Sequence, residues 1–233
     1  MVQMNNNNTP IVLRVKFYKK GNLQYISHLD LVRTMMKIIV RAKLPLWYTE
    51  GFNPKPKITF AAPLSIGTES LCEFMDIRLL EKIPVSVAKE SLNANMTDEM
   101  QVTDVYYPDE KLTALKWLAY EITVATSLAS DSLVDKINEV FDADEIPVLK
   151  KTKSGEQTVD IKPMIKRVSA KLAGERILIS CILSADQSAF LNPEYVVKLL
   201  KEKCGILSSD NLLDERYSIV RTNAYKENMT LFS

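Results

Sequence analysis

The stretch PIVLRVKFYKKGNLQYISHLDLVRTMMKIIVRAKLP, Pro10 to Pro45, changes its hydrophobic period partway along. Leu13, Val15 and Phe17 fall on one parity and Val12, Arg14 and Lys16 on the other, which predicts a half-buried strand ended at Lys20-Gly21. Leu23 to Ile26 reads as a short extended link. From Ser27 to Lys43 the spacing becomes helical: Ser27 fits an N-cap, Asp30 reaches back to it from the third helical position, and Pro45 stops the helix.

Working outward, Lys57 to Ala62 and Cys72 to Leu80 read as strands, with Pro63 and Gly67 marking the turn region between them. A short helix follows in PVSVAKESLNANM, with Pro84 suited to its first turn, and QVTDVYYP reads as another strand. The second half repeats this order without repeating the sequence. Trp117 to Ser127 is predicted as a strand, Ser130 to Phe141 as a helix, and Pro147 to Thr152 as a strand broken by the turn Lys153-Ser154-Gly155-Glu156. Val159 to Val168 is read as a short strand or an extended connection, and Arg176 to Ser184 as a strong strand. A helix is expected from Asn192 to Lys203, ended at Gly205, and a last strand from Tyr217 to Tyr225.

Two successive strand-helix-strand-strand-helix-strand units predict an α+β protein made of two tandem ferredoxin-like (βαββαβ) halves, each an antiparallel sheet with helices on one face. The expected organisation is a disordered Asn-rich leader over residues 1–9, a first half over 10–112 and a second over 113–233.

Composition narrows the class. A chain of 233 residues, 46% hydrophobic and 25% charged, is ordinary for a globular protein with a real core. It carries no apolar run of bilayer length and no secretory signal at MVQMNNNNTP, so the expectation is a cytoplasmic protein with no membrane partner. Cys72, Cys181 and Cys204 lie singly and far apart, which fits neither a disulfide framework nor zinc-ligand spacing, and Cys181 reads as a buried thiol. With one histidine, no metal site or cofactor is expected in this chain.

The net charge of +1 conceals an asymmetry: +7 over residues 1–70, −5 over 71–115 and −1 over the remainder. A basic end suggests an anionic partner such as nucleic acid, against the alternative of a solvated basic face. Arg33, Lys37 and Arg41 recur every four residues on one helix face, which holds no acid after Asp30, while Val32, Met35, Met36, Ile39 and Val40 supply apolar neighbours for the sheet. Beyond the helix, LPLWYTEGFNPKPKITF places Gly51 at a turn and Lys55 and Lys57 on one side of a proline-stiffened segment. Tyr48, Phe52 and Asn53 accompany those lysines, and aromatic faces beside lysines suit stacking on unpaired bases. Trp47 fits better as packing for the turn. His28 is a candidate general acid or base, set against the reading of a surface residue at a helix start. There is no Gly-rich phosphate loop, GxSxG or HExxH motif.

The run from Lys16 to Ser70 resembles the signature of a bacterial radical-SAM-associated domain of unknown function, often fused to or encoded beside a radical SAM protein with a cobalamin-binding-like region. The resemblance is specific over residues 14–80 and falls on Gly21, Ser27, His28, Leu29, Asp30, Arg33, Arg41, Ala42, Leu44, Pro45, Tyr48, Gly51, Phe52, Asn53, Pro54, Pro56 and Lys57; farther on, only VDIKP at Val159 to Pro163 aligns. Where many relatives have a second histidine, in NPHPK, this chain has Lys55, which weakens a mechanism built on that histidine and favours an electrostatic role. The cluster motif CxxxCxxC is absent. The resemblance implies an accessory module partnering a radical SAM protein, and relatives encoded near ribosomal-protein and ribonuclease genes imply RNA or a ribosomal component as a further partner. Three functions remain open from the residues: an RNA-binding accessory module, a metal-independent ribonuclease using His28, and an adaptor docking on an acidic partner enzyme.

Overall fold

The structure is a computed structural model describing residues 9–152, 155–186, 188–207 and 215–233. The protein is α+β with antiparallel strand pairing, and the chain divides into two compact units between Ala114 and Leu115, with the terminal Ser233 in the first. Among the described residues no helix is long and apolar enough to cross a membrane.

The first unit runs β1 (Ile11–Lys19), α1 (His28–Arg41), β2 (Ile58–Phe60), β3 (Thr68–Leu79), α2 (Val85–Asn93) and β4 (Met100–Tyr106). Its strands lie in the order β4-β1-β3-β2. The register pairs Leu13 with Ile77 and Val15 with both Met75 and Val105, so one parity of three strands meets in a single layer. That layer is closed by Leu31, Met35, Ile38 and Ile39 of α1 and by Ala88 and Leu92 of α2. Burying such a side chain contributes about 1.5 to 3 kcal/mol, so the helices are held mainly by packing.

The second unit runs β5 (Trp117–Thr126), α3 (Asp131–Asp142), β6 (Pro147–Thr152), β7 (Gly155–Asp160), β8 (Ile165–Ala173), β9 (Arg176–Ser184), α4 (Glu194–Leu199) and β10 (Glu215–Tyr225). Four strands lie in the order β10-β5-β9-β8, and β6 and β7 form a separate hairpin inserted after α3. Cys72, Cys181 and Cys204 are free and buried, and burial pushes the Cys181 thiol up to about 12.

Several expectations are corrected. Leu23 to Ile26 is not an extended link: Gly21–Tyr25 forms a 3-10 helix, because the Gly21 and Asn22 amides donate to the carboxylates of Glu69 and Glu99. β3 begins at Thr68, four residues earlier than the apolar run at Cys72 indicates. Val159 to Val168 is divided: β7 ends at Asp160, Lys162–Met164 makes a 3-10 turn around Pro163, and β8 then continues to Ala173. The Asn192 to Lys203 helix is a short α4 followed by a π-helical turn over Leu200–Cys204, ended by Gly205 at φ 74°. The expected leader, apart from Thr9, and the Lys153-Ser154 portion of the expected turn lie outside the described residues.

The outer parity of β1 is not simply solvated, since Arg14 is fully buried and paired with Asp76 of β3; on the inner parity, beyond Phe17, Lys19 is buried with its ammonium donating to the Leu23 carbonyl.

Candidate functional site

Helix α1 starts as its sequence dictates. The Asp30 amide donates to the Ser27 hydroxyl oxygen at 3.1 Å, and the Ser27 hydroxyl donates to Asp30 Oδ2 at 2.7 Å. Asp30 thus reaches back to the capping side chain rather than to its backbone amide. Its second oxygen accepts from Arg33 Nη1 at 3.2 Å. The Ser27 hydroxyl first, and the Arg33 guanidinium after it, hold the Asp30 carboxyl below its usual range.

His28 occupies the first helical position, exposed, with its ring edge-to-face on Phe60 at 5.3 Å between centroids. Phe60 is the last residue of β2, so this contact joins the helix start to the strand that follows the GFNPKPK segment. Among the described residues no carboxylate accepts a hydrogen bond from the imidazole to orient it as an acid or base.

Leu31, Met35, Ile38 and Ile39 form the buried stripe of α1, which leaves Arg33, Lys37 and Arg41 exposed on the opposite side. Val40, expected to face the sheet, is instead 48% exposed, and Leu29 is 57% exposed. Lys37 and Arg41 make no ion pair among the described residues. The helix ends at Arg41, four residues before Pro45: Lys43 adopts φ 53°, a left-handed conformation normally given to glycine, while its amide donates to the Val40 carbonyl. This places another exposed cation just beyond Arg41, a residue that periodicity does not single out because its backbone conformation is invisible in a sequence.

The following segment, Leu46 to Lys57, is a braced arm. Trp47 donates its amide to the Arg78 carbonyl and Arg78 donates to the Lys57 carbonyl, fastening the stem to the end of β3. Within the arm Lys57 donates to the Trp47 carbonyl at 3.1 Å, Thr49 to the Lys55 carbonyl at 2.9 Å, and the Lys55 amide to the Thr49 hydroxyl oxygen at 3.1 Å. Tyr48 bridges Pro56 across the stem. The tip, Glu50 to Pro54, turns at Gly51, whose φ of 119° glycine alone adopts without strain.

On this frame the Lys57 ammonium lies over the half-buried Trp47 ring, 5.5 Å from its centroid. Tyr48 is 40% exposed, Asn53 and Lys55 are exposed, and Phe52 at the tip is fully exposed. The structure therefore brings Asp30 to Arg33 and Trp47 to Lys57, and connects the arm to His28 through Phe60; Lys37 and Arg41 stand separately along the helix. Such an arrangement can neutralise phosphates along the helix and offer an aromatic face beyond it. Among the described residues no group of three or more His, Cys, Asp or Glu is placed to hold a metal ion.

Residues 12–193 match a protein family described as "Uncharacterized protein conserved in bacteria (DUF2344)". No curated protein matches. Among solved structures, the protein is similar to a chain of the "Crystal Structure of a Cbf5-Nop10-Gar1 Complex", with 12% identity and a TM-score of 0.51. That match covers 92% of this chain and 50% of the other, so the protein spans about half the length of that neighbour. A second match, an unknown protein from Galdieria sulphuraria, has 9% identity and a TM-score of 0.26, and covers 91% of this chain and 99% of the other.

Proposed function

The chain belongs to this family of uncharacterized bacterial proteins, and from that premise we propose that it is a non-catalytic binding module that takes RNA, or an RNA–protein substrate, on the surface formed by α1 and the arm. In this reading Arg33, Lys37, Arg41, Lys43, Lys55 and Lys57 meet phosphates, while Phe52 and Tyr48 stack on unpaired bases. The observation that carries it is Phe52: a fully exposed ring at the tip of an arm whose stem is fixed by backbone hydrogen bonds, in a basic region of the chain. A core residue would be covered, whereas a rigidly presented aromatic face is what base stacking uses, worth about 1 to 3 kcal/mol per base.

The resemblance of residues 14–80 to radical-SAM-associated domains supports placing the module beside a radical SAM enzyme, in the cytoplasm and without a cofactor of its own. The strand orders β4-β1-β3-β2 and β10-β5-β9-β8 support reading each half as a ferredoxin-like sandwich, the second with an inserted hairpin.

A second reading, an adaptor that docks on an acidic partner protein, is favoured by Leu29 and Val40. Both are exposed on α1, the helix that carries the cations, and would bury apolar area that RNA phosphates do not cover.

Fluorescent tRNA and ribosomal RNA fragments titrated with the purified protein across a salt series test the first reading. Binding should weaken steeply with salt, and Arg33→Glu, Arg41→Glu should reduce the log–log slope by about 1.4, near 0.7 for each phosphate of a single strand that is no longer neutralised. Phe52→Ala should weaken binding at every salt concentration while leaving the slope unchanged. Absence of binding at low salt overturns the RNA reading, and capture of an acidic protein dependent on Leu29 and Val40 would replace it.

A further inference from the structure

The second unit holds a cleft that the first unit's surface does not explain. In the sheet register Arg216 of β10 and Arg176 of β9 both stand directly opposite Ala125 of β5, one on each side. Partners opposite one another project to the same face, so the two arginine stems rise about 10 Å apart, two strand spacings, with only a methyl group between them. The opening between them is a cavity of about 170 Å³ lined by both arginines, Ala125 and, one row along, Thr123 and Ser218, which are themselves paired across the sheet. It adjoins a larger cavity of about 500 Å³ that shares Ala125 and Arg216 and is walled by Ser127 and by Gly174-Glu175 of the β8–β9 turn.

Both arginines are exposed, and neither forms an ion pair among the described residues although Glu175 lies beside them. Two arginines rising from one face on either side of a small residue, with no ion pair among the described residues, are placed to donate to a phosphate group, which accepts paired N–H donors from each side. The larger cavity has the size of small-molecule sites, about 300 to 1,000 Å³. Its wall supplies hydroxyl and carboxylate groups rather than further cations: Ser127 can donate, and Glu175 accepts hydrogen bonds from hydroxyl or amino groups. A polymer backbone would call for charge along its whole path. Here positive charge is confined to one end and a hydrogen-bonding wall lies at the other, which suits a compact ligand with one anionic end.

We propose that this cleft binds a phosphorylated small molecule of about nucleotide size, with its phosphate between Arg176 and Arg216 and its neutral, hydroxyl-bearing body against Ser127 and Glu175. None of its lining residues belongs to the arm or to α1, so the proposal stands or falls separately from RNA binding there.

Isothermal titration of the full chain with adenosine monophosphate, adenosine and inorganic phosphate tests the assignment. Adenosine monophosphate should bind, inorganic phosphate more weakly, and adenosine not detectably. Arg176→Gln and Arg216→Gln should each weaken nucleotide binding by about tenfold or more, since each removes a charge-assisted hydrogen bond. Ala125→Leu should block it by filling the gap, with the thermal midpoint of each variant measured alongside. The Arg33→Glu, Arg41→Glu variant should bind adenosine monophosphate normally. Failure of the wild type to bind the nucleotide at millimolar concentration overturns the proposal, as does binding that survives both arginine substitutions. Arginine-dependent binding of an oligonucleotide without binding of the mononucleotide overturns it too, in favour of a polymer site.

Discussion

The Arg14 guanidinium holds the Asp76 carboxylate by two hydrogen bonds, Nε to Oδ1 at 2.7 Å and Nη2 to Oδ2 at 3.2 Å, across the β1–β3 pair, with both residues buried. Nη2 also donates to the Glu110 carbonyl at 2.8 Å, tying the end of the first unit back onto its sheet. Removing one partner leaves the other charge buried. Asp76→Ala should therefore cost about 3 to 5 kcal/mol in urea unfolding, whereas Arg14→Met, Asp76→Leu together should cost far less because no charge is stranded. Equal losses in the single and double variants would show that the pair contributes through packing alone.

Gly21 sits at φ 60°, and a Cβ built there would lie 2.3 Å from Glu99 Oε1. Glu99 must then move, releasing the Asn22 amide that it accepts at 3.0 Å. Gly21→Ala should cost about 1 to 3 kcal/mol. Gly174 has the same φ with open space around it, so Gly174→Ala should cost only the conformational part, about 1 kcal/mol. The difference between the two denaturant midpoints measures the Glu99 interaction.

Lys43 carries a left-handed backbone without glycine's freedom. Lys43→Gly should raise stability by about 0.5 to 1 kcal/mol, the relief of strain being partly offset by the greater entropy of glycine in the unfolded chain. If the strained lysine is kept to meet a phosphate, the same variant should lower the salt slope of RNA binding by about 0.7.

Asp186 accepts from the Lys116 ammonium at 2.5 Å and from the hydroxyl and amide of Ser188, and these bonds, Lys116 foremost, hold its carboxyl well below the usual range. The folded state therefore binds this proton less readily than the unfolded state. Its contribution is complete above the ordinary value near 3.8 and disappears as pH falls through the lower folded value. The stability gap between wild type and Asp186→Asn should be present at neutral pH and shrink progressively as pH is lowered below about 4, as measured by urea unfolding across pH.

Elements with a local signal were legible in the sequence. The capping box and apolar stripe place α1 within a residue or two, and the apolar run RILISCILS marks β9 with the bounds that the structure has. Features that depend on a distant partner were not. Alternation assigns Arg14 to water because the carboxylate that buries it lies in another strand, 62 residues away. The 3-10 helix at Gly21–Tyr25 needs Glu69 and Glu99 to receive its amides. β8, carrying the exposed Lys166, Arg167 and Lys171, has only a short alternation, Val168, Ala170 and Leu172 against Ser169 and Lys171, and its full length depends on pairing with β9. At the candidate site the residue types Tyr48, Phe52, Lys55 and Lys57 were readable, but the bracing of the arm and the full exposure of Phe52 belong to the folded chain. The facing arginines of the second unit come from register alone, which no spacing along the chain reveals.

The stem of the arm is secured by backbone groups of Trp47, Lys57 and Arg78, so what holds it in place is largely indifferent to the side chains at its tip. The hold on the stem and the make-up of the tip are thereby written in separate residues. A reporter dye or peptide grafted between Glu50 and Pro54 would therefore ride on a fixed mount rather than a loose thread.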